Sequence, residues 1–295
     1  MYEYGNARVA ALRGRLIDPP GFRKLADADS PGAFLAALER MDDWRPVLRE
    51  TEPLFGEPQA AIEAAIERHR SARLGGLVGW YGGSARRLVE ALVMPLDAER
   101  VMAVVRRRSG GASAAAVGTS VVGGALLGAA ALGALARTAT LSDLVAGLAA
   151  TGLLSRSDTH RLAAGIEARR GQRWLEDRLT EAFDRARDER AAGGGQDARF
   201  VRAILAAERA ERAMIAAELL DEGPGTAWLV ERSTSLPRLD RQARQGPRDP
   251  LGIGAVAGYV SAVEAQAIRL RACLTRIVAG WGPEAIVPYL ARTGG

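Results

Sequence analysis

The sequence predicts an all-helical protein, and three observations carry that reading. Aromatic residues are only 5% of the chain, while alanine dominates the 48% that is hydrophobic, a balance that favours helix. The apolar segments repeat at three- and four-residue steps, with no strand–turn–strand alternation. The prolines cluster in a few places and leave long stretches free of helix breakers. A chain of 295 residues is long enough for two or three cores.

Residues 6 to 17 place Val9, Leu12 and Leu16 on one helical stripe, which "DPPG" stops. "SPGAFLAALERM" opens with Ser30 as N-cap and Pro31 at the first helical position, and puts Phe34, Leu35, Leu38 and Met41 on one face. After the turn signalled by "EPLFGEP", residues 60–74 read as helix. "VGWYGGSARRLVEAL" then breaks and restarts a helix, and "DAERVMAVVRRR" follows with Val101, Val104 and Val105 inward. Further on, 158–192 reads as one charged helix with Leu162, Ile166, Leu175, Leu179 and Phe183 at its apolar positions, ended by glycines 193–195. Another runs from Asp197 to about Asp221, with Glu208 and Arg212 on its apolar seam, where an ion pair at a helix crossing is expected. "DEGPGT" ends it, and a shorter helix follows. The last long helix carries a stripe of Val256, Val260, Val263, Ala267, Leu270, Leu274 and Ile277. "AERVMAVVR" at 98–106, "AERAMIAAE" at 210–218 and "EAQAIRLR" at 264–271 form a faint internal repeat.

Residues 109–136 contain no charge and are bracketed by Arg108 and Arg137. Their length suffices for a membrane span of about 20 residues. Their few large aliphatics are worth only about −2 to −4 kcal/mol on an insertion scale, and no aromatic anchors either end. The segment is expected to be a small-residue connector leading into a buried helix.

The run "DPLGIGAVAG" at 249–258 holds Gly252, Gly254 and Gly258 in a spacing close to a dinucleotide fingerprint. That fingerprint needs a buried strand leading into it, and the lead-in "RLDRQARQGPR" is too charged to be one. Asp249 as N-cap and Pro250 at the first helical position are expected to start the last long helix here. The glycines are then expected to mark close approach by a neighbouring backbone.

Catalytic chemistry has few candidates. His69 and His160 are the only histidines and belong to no metal-ligand pattern, and there is no P-loop, G-x-S-x-G or EF-hand. Cys273, the single cysteine, sits among Leu270, Leu274 and Ile277 as a small core residue. The N-terminal stretch has no apolar run of the kind a secretory leader carries, so none is expected. These features predict no enzyme, no cofactor and no metal site, and favour a scaffold or interaction module. Lys24 is the only lysine, so arginine carries nearly all the positive charge, and the net charge is +5. The main rival is therefore a basic helical nucleic-acid-binding protein. Arginine and glutamate interleave along most helices instead of grouping on one face, which argues against nucleic acid as a partner.

Three stretches carry a family resemblance: "YEYGNARVAALRGRL", "LVEALVMPLDAERVMAVVRRR" and above all "DPLGIGAVAGYVSAVEAQAIRLR". They resemble the C-type subunit family of the prokaryotic V-type (A-type) rotary ATPase, known as the d-type in the eukaryotic V-ATPase. The run Asp249 to Gly254, followed by a helix containing Glu264, is the most specific part, and Asn6 to Arg8 is second. The resemblance implies a funnel-shaped, all-helical protein of three similar domains around a pseudo-threefold axis, divided as 1–108, 109–222 and 223–295. It implies a non-catalytic central-stalk protein at the cytoplasmic face of the membrane, peripheral to it, joining the central shaft to the proteolipid ring and coupling ATP turnover to ion transport. The chain departs from the family where Arg100 follows Glu99 and in the degenerate 109–136 segment. Arg86 and Arg87 at a helix start, and Arg269 and Arg271 on the last long helix, are the candidate partner contacts. Salt bridges between the protein's own helices are the alternative for each.

Overall fold

A computed structural model describes residues 2–51, 55–114, 117, 121–218 and 227–286. Among them are thirteen α-helices and no strand, so the chain is all-α. The chain divides into two compact units, one made of residues 1–73 with 203–295, the other of 74–202. The expected division at 222–223 lies outside the described residues, as does part of the 109–136 connector.

The first unit contains α1 (Glu3–Arg13), α2 (Pro19–Ala26), α3 (Pro31–Glu39), α4 (Arg45–Thr51), most of α5 (Pro58–Val78), α12 (Ala227–Gln245) and α13 (Ile253–Ala279). The starts of α2 and α3 are built locally. Asp18 and Ser30 each cap a helix whose first residue is proline, accepting from Gly21 N–H at 2.8 Å and Ala33 N–H at 3.2 Å. "DPPG" therefore begins α2 as well as following α1, because an Asp–Pro pair is a start signal once the aspartate side chain turns onto the next backbone amides. The centre of the unit is α13, nineteen of whose 27 residues are buried. Its predicted stripe is buried from Val256 to Leu274, with Ile277 half-buried, and from Ala267 onward it packs with Phe22, Phe34, Trp44 and Ile62 into one core. Cys273 lies in that core, where burial pushes its thiol up to about 12 and leaves it unreactive. Helices α12 and α13 run antiparallel. Gly246, in the short 3-10 turn after α12, meets Gly258, while Gln242 meets Ser261 and Asp240 meets Arg269.

The second unit is built on α6 (Gly83–Ser109), α7 (Ala129–Ala136), α8 (Leu141–Ala150), α9 (Arg156–Glu167) and α10 (Gln172–Arg190). It also takes the first residues of α11 (Gln196–Glu218). Its core joins Met94, Val101 and Val105 of α6 to Leu144, Leu162, Leu179 and Phe183. Where two segments were expected, α6 is a single helix passing through Pro95. Proline at that point deprives the carbonyl of Ala91 of its helical partner. The buried guanidinium of Arg187 supplies the missing donor, with Nε 2.9 Å from that oxygen. The expected helix over 158–192 is two helices, because Arg169 and Gly171 take positive φ values of 52° and 81° and turn the chain between them.

The connector behaves as its small residues suggest. Asp97 of α6 is fully buried and accepts from the N–H groups of Leu126 and Leu127 at 2.8–3.0 Å. Gly124 leaves the space its carboxylate occupies. Helix α7 follows with Leu132, Leu135 and Ala136 buried. Among the described residues no helix is long and apolar enough to cross a membrane.

Burial sets two opposing acid responses. Desolvation raises the Asp97 carboxyl from 3.8 to about 6, so the folded protein binds a proton that the unfolded chain lacks between about pH 4 and pH 6. Its contribution to stability therefore grows as pH falls through that window and is lost as pH rises through about 6. Desolvation lowers His69 from 6.5 to about 4, so its contribution is complete above about pH 6.5 and is lost as pH falls to about 4. Asp97→Asn should make stability fall more steeply than wild type on acidification from about pH 6 to about pH 4, and His69→Gln less steeply. Chemical-denaturation midpoints across that range check both, and slopes unchanged from wild type would contradict the two burials.

Candidate functional site

The two stretches with the most specific sequence signal meet in space. Asn6 is buried on α1, and its side-chain amide donates to the carbonyls of Pro250 at 2.9 Å and Gly252 at 3.0 Å. An asparagine amide has two N–H donors, so one side chain can hold both carbonyls of a tight turn. The turn is thereby pinned in a non-helical form, and α13 starts at Ile253 with Gly252 as N-cap. That corrects the expected helix start. Asp249 is not the cap residue and Pro250 is not in the first turn, because the backbone between them and the helix is committed to Asn6. Asp249 still serves the helix end, since its Oδ2 accepts from Gly254 N–H at 3.1 Å and brings negative charge to the N-terminus.

The three glycines separate into two roles. A Cβ on Gly252 or Gly254 would run into the Asp249 side chain, so these two leave room for a side chain, where a neighbouring backbone was expected. At Gly258 the expectation of close backbone approach holds: a Cβ there would lie 2.6 Å from the Gly246 Cα. No phosphate cradle is needed to account for any of them. Among the described residues no group of three or more His, Cys, Asp or Glu side chains is placed to hold a metal ion.

The four arginine candidates differ. Arg86 is exposed and pairs with Glu90 one turn along its own helix, Nε to Oε1 3.0 Å. Arg87 is exposed beside it. Arg269 is buried, with Nη2 at 2.6 and 2.7 Å from the two oxygens of Asp240, and so is withdrawn from any partner surface. Periodicity could not show this, since Asp240 is on another helix. Arg271 is mostly covered and bridges Glu63, at 3.1 Å, and Glu67 of α5. On α11, Glu208 pairs across a helix crossing with Arg238 of α12 at 3.5 Å.

Sequence reasoning named Glu264 and Arg269 on α13 but missed their partners and several other polar residues around that helix. Glu264 accepts from the buried Arg70 of α5, Oε2 to Nη2 2.6 Å. Gln266 accepts from Ile17 N–H at 2.8 Å, and Arg276 donates to the Ala28 carbonyl. Also on α5, His69 stacks on Trp44 at 4.1 Å and bonds Asp43 at 2.9 Å, while Arg73 pairs with the same carboxylate. A polar residue inside an otherwise apolar stripe, as at Glu264, Gln266 and Arg269, is the one signal that could have found the set.

Asn6→Ala leaves two carbonyls without their donor and should cost about 1–3 kcal/mol. Gly258→Ala should cost about the same by forcing α12 and α13 apart. Thermal melts of the two variants and of the double variant check this, and unchanged midpoints would contradict the clamp.

Residues 5–165 match the family model of the ATP synthase (C/AC39) subunit. No curated protein matches the chain. The matched stretch is more than half of the sequence, begins just before Asn6, and takes in all of α6 with the Asp97-bound connector. With the helical fold and the Asn6 clamp described, this match shows that the chain belongs to the C/AC39 family of ATP synthase subunits.

Proposed function

We propose that the chain is a non-catalytic central-stalk component of a V/A-type ATPase, a socket between the soluble shaft and the membrane proteolipid ring. The family match over residues 5–165 carries this reading. In such a protein function lies in stiffness and fit, since torque passes through it without chemistry of its own. The internal ties support that role. Ion pairs join α5 to α13 through Arg70 and Arg271, and α12 to α13 through Asp240 and Arg269, while Asn6 fixes α1 to the turn before α13. Such pairs hold register between packed helices. The three-part organisation at 1–108, 109–222 and 223–295 belongs to the same proposal, as does a peripheral place at the cytoplasmic face of the membrane. A net charge of +5 suits an anionic surface there. Of the candidate contacts, exposed Arg86 and Arg87 remain in this reading, whereas Arg269 does not.

Among the described residues, arginines pair with Asp43, Asp158, Asp240, Glu63, Glu176 and Glu264.

Membrane vesicles from cells lacking the chain should keep ATP hydrolysis in the soluble head and lose ATP-driven ion uptake, with uptake restored by adding the chain back. Paired assays of ATP turnover and ion uptake test this. Uptake at the normal ratio to ATP turnover in vesicles without the chain would contradict the role.

A further inference from the structure

A cleft of about 370 Å³ opens between α9 and α10 in the second unit, within the usual size range of small-ligand sites. Gly165 forms its floor. Any Cβ there would occupy the space of the Trp174 ring, so the glycine lets the indole lie down across α9. Leu162, Ala164 and Ala168 add apolar lining.

The charges around it do not balance. Four guanidinium groups, from Arg161, Arg170, Arg178 and Arg185, face two carboxylates, Asp158 and Glu181, with His160 also lining the cleft. Asp158 is buried and already accepts from Ser155, Arg161 and Arg185 at 2.7 Å. Glu181 is taken by Arg178 at 2.7 Å, with Arg185 at 3.8 Å. Arg170 is left over: its guanidinium lies 5.7 Å above the centre of the Trp174 ring, and among the described residues no carboxylate pairs with it.

The backbone is bent to put it there. Arg169 has φ 52°, a left-handed conformation that costs a non-glycine residue about 1–2 kcal/mol. The N–H of Arg170 then closes the end of α9 by bonding the Gly165 carbonyl at 3.2 Å. Strain at a residue next to an unpaired cation over an indole, at the mouth of a cleft, has the character of a binding site.

We propose that this cleft binds a short acidic segment of a partner protein, which offers a carboxylate to Arg170 and an apolar side chain to Trp174. A guanidinium presents a planar fork of donors that matches a carboxylate. The indole and alanines match an aliphatic side chain beside it. A phosphate-rich strand or a lipid surface fits less well, because Asp158 and Glu181 stand inside the cleft and it is concave. The site does not depend on the stalk reading.

The test uses the full-length protein and two capped synthetic peptides, one of alternating glutamate and leucine, the other with lysine in place of glutamate. Tryptophan fluorescence should respond saturably to the acidic peptide and not to the basic one, and Trp174→Phe should remove the response. Arg170→Gln, an exposed change checked for folding by circular dichroism, should weaken binding about ten-fold or more. Added salt should weaken it further in wild type. The proposal is overturned if the acidic peptide does not saturate, or if Arg170→Gln binds as tightly as wild type. It is equally overturned if inorganic phosphate or phosphatidylglycerol vesicles bind through Arg170 where the peptide does not.

Discussion

Burying a 27-residue helix on nearly every side presses the polar groups it carries to find partners inside the protein, and most of those on α13 do. An unpaired charge in that setting would cost several kcal/mol. Arg269 takes Asp240, Glu264 takes Arg70, Ser261 donates to Gln242, Gln266 accepts from Ile17 N–H, and Arg276 donates to the Ala28 carbonyl. These partners come from α12, α5 and the segments that follow α1 and α2. The demand of one helix therefore fixes where the others can sit. The same constraint explains Gly246 and Gly258, where α12 and α13 approach until only backbone fits between them.

The second unit solves related problems with single buried residues. Arg187 satisfies the carbonyl that Pro95 frees in the middle of α6, which lets a 27-residue helix continue through a proline. Asp97 collects the amides of a connector too poor in large side chains to hold itself by apolar burial. In both cases a charged residue is buried because backbone groups elsewhere would otherwise be orphaned.

What could be read in the sequence follows the range of the interactions. Ser30 with Pro31, the α13 stripe, the core position of Cys273 and the breaks around Gly82 and Gly193 depend on neighbours within a few residues, and were legible. The start of α13 was misplaced because Asn6, which forbids helix at Pro250, is 244 residues away. At Asp18 an Asp–Pro pair does start a helix, where the sequence reading took "DPPG" only as a stop. The break between α9 and α10 was hidden because its left-handed residue is Arg169, although Gly171 gave a partial signal. At the candidate site, Asn6 and the Asp249–Gly254 run stood out separately. That they touch, and that Arg269 is tied to Asp240, only the fold could show.

In the proposed stalk role, this chain would transmit motion between its neighbours through packing alone. The most direct measurement is purification from native membranes in mild detergent through a tag on this chain, followed by mass spectrometry of the intact assembly. The stalk role predicts one copy of the chain in a particle that also contains the catalytic head, the shaft and the proteolipid ring, with the ring lost when the chain is removed. Recovery of the chain without those partners, or of a complete particle that lacks it, would contradict that role.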